Sequence, residues 1–220
     1  MESIFINGIE IRAELEEKYL QINRLPFDRI EEIWNAVKVQ YPHHEVVFTF
    51  HNVAVDEKPL DAIGARLLED CFMTEVTKDT LHHITQDDIT LLTRDEFINI
   101  ADHHDALHAN DDFYWMSTRI LEHWETFNIF AHHANGTIDA YCLLMTRMRD
   151  PNIGEFFTVT SQNAPIRAAL LSQASAHAFT AHGKQRILLT VETHDAELLS
   201  IAESIGFYKT GIYTGYTAQT

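Results

Sequence analysis

The 220-residue sequence contains only two cysteines, Cys71 and Cys142, each among apolar neighbours (LEDCFM and AYCLLM). That is too few for a disulfide scaffold or a thiolate zinc site, and a reducing cytoplasm is the expected location. No apolar run reaches the roughly 18 residues of a membrane span, and the opening MESIFINGIEIRAELEEKY carries acids where a secretory signal would be basic. A soluble, intracellular protein is expected. Basic residues are scarce too: 16 Lys and Arg stand against 33 Asp and Glu, a formal charge of −17 with His neutral. Such a field repels a phosphate backbone and argues against nucleic acid as a partner. The first 84 residues hold no glycine-rich phosphate loop, so any site for a phosphorylated ligand should be single.

What is present fits an ordinary folded chain, with 45% hydrophobic and 22% charged residues, long enough for one large core or two small ones. In ELEEKYLQI the apolar positions lie three and four apart and predict a helix, broken by Pro26. Ile30, Ile33, Trp34, Val37 and Val39 predict a second helix ending before Pro42. EVVFTF (45–50) reads as a buried strand, then come a helix over 60–68 and a short strand over 71–76. Residues 77–86 are polar and read as a linker between an N-terminal α/β region, 1–84, and a second region, 85–220.

The second region opens with a short strand, DDITLLT, and a helix, DEFINIADHHDALHAND, capped by Thr93 or Asp95. Another helix is expected in DDFYWMSTRILEHW. FNIFAHHA, TIDAYCLLMTRM and GEFFTVTS are strand-like, and Asn135-Gly136 suits a tight hairpin between the first two. After Pro165 comes a long helix with Gly183 as its C-cap. A strand RILLTVET, a helix AELLSIAESIG closed by Gly206 and a final strand or hairpin FYKTGIYTGYT complete the order. Aligned without a gap, EVVFTFHN falls opposite ILLTVETH, and Ile63-Gly64 opposite Ile205-Gly206. The match suggests a partial internal repeat, although any strand-helix-strand unit would resemble another in this way.

Residues 85–216, and best of all 129–216, resemble the GCN5-related N-acetyltransferase (GNAT) superfamily. The likeness rests on the hairpin FNIFAHHANGTIDAYCLLM, the strand GEFFTVT, the helix with LLSQASAHA, and ILLTVETHDAELLSIAESIGFYKTGIYTGY with its Gly206-Phe207 pair. The resemblance implies an α/β fold with a mixed sheet, GNAT-like, carrying an N-terminal α/β extension. It also implies acetyl-CoA as cofactor and direct transfer of the acetyl group to a primary amine in a ternary complex. The expected acceptor is a small molecule or a peptide, and a homodimer is left open. A non-catalytic binding or assembly module on the same fold is the alternative.

Residue by residue, the family's diphosphate loop matches Gln162, Asn163, Ala164, Pro165, Ile166 and Arg167. Gln162 fits, but Pro165 and Arg167 stand where small residues are usual, so the loop is either an altered site or simply a capped helix start. The family's pantetheine arm lies between two parallel strands that diverge, here 156–160 and 187–193. A cleft is expected between Val159 and Leu189, with Val159 and Thr160 on its wall. Asp195 replaces an Asn at the start of the following helix, and Ala202 replaces the Tyr that often serves as acid. Tyr208 is the nearest substitute acid, or else an ordinary hydrogen-bonding tyrosine. Glu155 resembles the family's base; alternation would place it on one face with Phe157 and Val159, functional there or paired at the strand end.

Tyr114 and Trp115, beside Phe113, sit where the fold builds its acceptor pocket, though core packing also explains them. Asp102, Asp105, Asp111 and Asp112 would draw a cationic amine there. His104 and His108 have the spacing of a two-histidine metal pair, with His103 and Asp105 near, but solvated side chains explain them as well and no metal is expected. The adjacent pairs His43-His44, His82-His83 and His132-His133 read as loop and surface histidines.

Overall fold

A computed structural model describes residues 2–109 and 114–220. Contacts divide the chain into two compact units, Met1–Met73 with Gly211–Thr220, and Thr74–Thr210. The division falls earlier than the 84/85 boundary read from composition, because residues 77–86 are tied to the second unit. There Ile84 N–H donates to Ser172 Oγ (2.8 Å), His82 N–H donates to the Ile205 carbonyl (2.9 Å), and Leu81 and Ile84 pack on that unit's core.

Unit one begins with β1 (Glu2–Ile6), β2 (Ile9–Glu14) and β3 (Tyr19–Asn23), antiparallel in succession. The helix expected in ELEEKYLQI is therefore absent: its residues end β2, make a single 3-10 turn (Leu15–Glu17) and form β3. Burial decides the matter with a period of two, since Ile11, Ala13, Leu20 and Ile22 point into the core. Asn7-Gly8, with φ of +48° and +79°, makes the tight turn that sets Ile6 opposite Ile9. Next comes α1 (Ile30–Gln40), which buries Ile30, Ile33, Trp34 and Val37 as expected and leaves Val39 exposed. Then follow β4 (Glu45–His51), parallel to β3, and α2 (Glu57–Ala62). The helix expected through residue 68 stops at Ile63-Gly64, where Gly64 turns left-handed (φ +73°), and β5 (Arg66–Thr77) runs on into unit two.

Unit two contains β6 (Ile89–Leu91), α3 (Arg94–Ile98), α4 (Ala101–Leu107), α5 (Ser117–Glu122), β7 (Phe127–Ala134), β8 (Thr137–Met145) and β9 (Ile153–Val159). After these come α6 (Ala164–Ala181), β10 (Arg186–Glu192), α7 (Ala196–Ser204) and β11 (Tyr208–Gln219), whose residues from Gly211 belong to unit one. Thr93 caps α3 in a full capping box with Glu96. Among the described residues, the single helix expected in DEFINIADHHDALHAND is two short ones, and of the helix expected in DDFYWMSTRILEHW the part from Ser117 to Glu122 is α5.

Strand order in this unit is β11-β5-β10-β9-β8-β7-β6. On one face α6 lies against the sheet through Leu170, Leu171 and the small Ala169, Ala174 and Ala178, which permit a close approach, and α7 joins through Ile201 and Ala202. On the other face Phe97 of α3 and Ile120 of α5 share a core with Ile129 of β7 and Tyr141 and Leu143 of β8. No helix among the described residues is long and apolar enough to cross a membrane.

One succession occurs twice: β1-β2-β3-α1-β4-α2-β5 and β7-β8-β9-α6-β10-α7-β11, each with two antiparallel pairings and then a parallel one. The alignment that sets Ile63-Gly64 opposite Ile205-Gly206 sets Arg66–Thr77 opposite Tyr208–Gln219 from first residue to last. The final strands, however, are exchanged. In unit one β4 pairs with β11, from Tyr213 opposite His51 to Gln219 opposite Glu45. In unit two β10 neighbours β5, where Thr74 Oγ1 donates to the Leu189 carbonyl (2.7 Å).

Gly64 and Gly206 end the two corresponding helices, but with different surroundings. A Cβ at Gly64 meets nothing within 4 Å, whereas one at Gly206 (φ +99°) would lie 1.8 Å from the Thr80 carbonyl oxygen. Gly64→Ala should cost about 1–2 kcal/mol from the left-handed backbone alone. Gly206→Ala should cost clearly more because the Thr80 backbone must move; equal losses in denaturant unfolding would contradict this.

Candidate active site

The central feature of unit two is a parallel pair that opens. β9 and β10 pair from Ile153 opposite Arg186 to Phe156 opposite Leu189, and their register ends there although β9 continues to Val159 and β10 to Glu192. The cause lies on the other side of β9. Leu144 is opposite Phe156, yet Leu143 is opposite Thr158, so Phe157 is an extra residue in the strand. A bulge of this kind bends its strand and increases its twist. Past the bulge the chain stays with β8: Cys142 is opposite Val159, Thr160 N–H donates to the Tyr141 carbonyl (2.9 Å), and Tyr141 N–H donates to Thr160 Oγ1 (2.9 Å). The edges of β9 beyond Phe156 and of β10 beyond Leu189 face one another with no ladder between them.

The corresponding pair in unit one is closed. β3 and β4 stay in register from Tyr19–Glu45 to Asn23–Thr49, and Arg24 N–H then donates to the Thr49 carbonyl (3.1 Å). Thr49 Oγ1 donates to Asn23 Oδ1, and Phe27 stacks on Phe50 with ring centroids 4.9 Å apart.

Glu155 stands on β9 just before the bulge, opposite Met145. Directly opposed residues share a face, so Glu155 lies on the side of the apolar cluster that includes Met145, Phe157 and Trp115. Val159 does not share this face, contrary to simple alternation: it is opposite Cys142 and packs with the α6 cluster. The extra residue has inverted the pattern. Glu155 is half-buried with no hydrogen-bond or ion-pair partner among the described residues, and desolvation pushes its pKa above the ordinary carboxylate value.

Trp115 meets Phe127 and Phe157 edge-on, at 4.9 and 5.8 Å between centroids, and Tyr114 at 4.9 Å. Tyr114 is exposed, with the Arg119 guanidinium 3.8 Å above its ring. Asp111, Asp112 and Phe113 lie outside the described residues. The Tyr114-Trp115 segment is held by buried His104, whose Nε2 is 2.8 Å from the Trp115 carbonyl and Nδ1 2.7 Å from Tyr141 Oη. A carbonyl only accepts, so Nε2 carries the proton and the Tyr141 hydroxyl donates to Nδ1. Asp105 takes the Ser117 N–H (2.7 Å) and hydroxyl (2.6 Å), fixing the start of α5. His104 and Asp105 thus hold the loop; among the described residues no three His, Cys, Asp or Glu side chains form a metal-sized group.

Tyr208 is not beside Glu155. Three strand intervals separate β11 from β9, about 14 Å at the usual spacing. Its hydroxyl donates to Glu75, whose other oxygen is 3.3 Å from Arg186 Nη1, and the bond to Glu75 raises the Tyr208 pKa. Ala202, in the family's acid position, is fully buried in the core.

Val159 and Thr160 lead from the opening to the loop before α6, where Gln162 is exposed. Here the loop satisfies its own amides, two of them through side chains. Asn163 N–H donates to Ser161 Oγ (3.0 Å), Ile166 N–H to Asn163 Oδ1 (3.3 Å) and Arg167 N–H to the Asn163 carbonyl (2.9 Å). Pro165 has no N–H. Ala164 and Ile166 pack partly on the core, and Arg167 turns its Nε to the Ser161 carbonyl with Nη1 3.9 Å from Glu197. Asp195 caps α7, accepting from Leu198 N–H (2.9 Å).

A second buried histidine, besides His104, went unrecognised. His132, read as a surface residue, bridges Asp139 (Nδ1, 2.5 Å) and Asp88 (Nε2, 3.0 Å), and its pKa is raised, chiefly by the hydrogen bond to Asp139. Burial instead lowers that of His104. The two should act oppositely on stability. The His132 contribution is fully present below its unfolded pKa of about 6.5 and lost as pH rises through the higher folded value. His104 resists a proton that the unfolded chain takes up below about pH 6.5, so it weakens the fold as pH falls. His132→Asn should therefore destabilise more at about pH 5.5 than at about pH 9, and His104→Gln less at the lower pH. Unfolding midpoints measured across this range check both; parallel profiles would refute the assignment.

No family model matches the chain, and no curated protein matches it. Its fold does recur in solved structures. A conserved protein of unknown function from Staphylococcus epidermidis aligns with a TM-score of 0.71 at 13% identity, over 100% of this chain and 94% of that one. A GCN5-related N-acetyltransferase from Kribbella flavida gives 0.63 at 12% identity, over 98% and 88%. A tandem GNAT protein from the clavulanic acid biosynthesis pathway gives 0.60 at 10%, over 98% and 81%. At these identities the likeness is one of architecture, and the chain has the mixed α/β fold of the GCN5-related N-acetyltransferases.

Proposed function

We propose that the chain is an N-acyltransferase that moves an acetyl group from acetyl-CoA to a primary amine, with one donor site, in unit two. The observation that carries this reading is the opening between β9 and β10 beyond Phe156 and Leu189. Main-chain edges left without a ladder can accept an extended amide chain as a short extra strand, and the pantetheine arm has two amides to offer. The thioester would then lie near Phe157, with Glu155 on the face that carries Trp115.

An amine acceptor is protonated near neutral pH and must lose a proton before it attacks. Glu155, desolvated and free of a counter-ion, suits that task directly or through one water. Trp115 and Tyr114 form the wall against which a small-molecule or peptide acceptor would lie. The thiolate that departs has a pKa near that of cysteine, about 8.5, and can leave without a side-chain acid, taking its proton from solvent. Ala202 and the distant Tyr208 are consistent with this route. Residues 2–77 read as a copy of the same succession whose parallel pair has been sealed by Arg24, Asn23 and the Phe27–Phe50 stack.

A non-catalytic module is the second reading, favoured by Ala202 and by the self-capped start of α6. Glu155→Gln separates the two. For an enzyme it should lower kcat by about 10²–10⁴-fold while donor affinity stays within about twofold. Absence of donor heat at millimolar acetyl-CoA in the wild-type protein would establish the non-catalytic reading, and an unchanged kcat in the variant would remove Glu155 as base.

A further inference from the structure

Resting on that reading, we propose that the donor is recognised through its pantetheine arm and that the nucleotide diphosphate adds little, so the donor class is pantetheine thioesters with or without the nucleotide. Two independent observations lead here. The opening between β9 and β10 has main-chain edges suited to the arm, whereas the start of α6, where a diphosphate would need free amides, has been filled from within.

The accounting at that loop is specific. A diphosphate cradle requires several backbone N–H groups aimed outward at a helix start. Of the amides from residue 163 to residue 167, those of Asn163, Ile166 and Arg167 are already bonded to Ser161 Oγ, Asn163 Oδ1 and the Asn163 carbonyl. Pro165 supplies none, which leaves Ala164. For a phosphate to displace the Ser161 and Asn163 side chains it would have to break bonds that close the loop on itself, so little net gain remains.

The local cation is also committed. Arg167 has its side chain largely buried, with Nε on the Ser161 carbonyl and Nη1 near Glu197. Leaving these groups to reach a diphosphate would strand a carbonyl and place the ligand's charge beside the Glu197 carboxylate. The other loop side chain expected to bind the nucleotide, Gln162, is exposed and uncharged. In a chain of net charge −17 nothing long-ranged offsets this.

Titration calorimetry of the wild-type protein with CoA, 4′-phosphopantetheine and pantetheine at one ionic strength tests the inference. The three dissociation constants should agree within about threefold. CoA binding ten times or more tighter than pantetheine would overturn it, since charge-assisted contacts to the diphosphate yield at least about that factor. Such a result would leave the acyltransferase reading intact, whereas heat from none of the three would end both. As a second arm, Arg167→Gln should change the affinities for CoA and pantetheine by the same factor; a loss confined to CoA would show that Arg167 holds the nucleotide.

Discussion

One extra residue in β9 sets the geometry of the parallel pair in unit two. Because Phe157 interrupts the register with β8, the strand bends, keeps its bonds to β8 through Val159 and Thr160, and can no longer follow β10. The same interruption reassigns the side chains. Glu155 and Phe157 remain on the aromatic face, and Val159 turns to the α6 face. An opening in the sheet and a desolvated carboxylate beside it therefore share a single cause.

Unit one shows what the arrangement becomes without that interruption. Its β3 and β4 keep register through Asn23 opposite Thr49, Arg24 continues the pairing, and Phe50, next along β4, stacks on Phe27. Both units have the same succession of elements and exchange their last strands, so the contrast is local. Sealing comes from a continuous ladder and from Phe27 on Phe50, and needs no change of architecture.

Much of this order was legible in the sequence wherever a local rule and the tertiary structure agree. Thr93 at the start of α3, the Asn135-Gly136 turn, the apolar stripe of α1 and Gly206 closing α7 are local signals, and each is found in place. Around β2 and β3 the signals conflicted. ELEEKYLQI has helical spacing, but the Asn7-Gly8 turn and burial on a sheet prevail. The bulge at Phe157 had no signal at all, since an extra residue is defined only against a partner strand. The same holds for His104: its partners Tyr141 and Trp115 lie far away in sequence or on another element, and a histidine in ADHHDALH looks no different from its neighbours. The loop at Gln162 was legible as altered, through Pro165 and Arg167, but its self-capping depends on rotamers of Ser161 and Asn163.

The proposed donor site requires the opening between β9 and β10 to be a gap that a donor fills. Residue-resolved amide hydrogen exchange, with and without saturating acetyl-CoA, measures this most directly. In the free protein the amides of residues 157–159 and 190–192 that face the gap should exchange rapidly, while residues 22–24 of the sealed pair remain protected. Acetyl-CoA should slow exchange at the gap and leave residues 22–24 unchanged. Protection of the gap-facing amides before any donor is added, or no change there at saturation, would contradict the account.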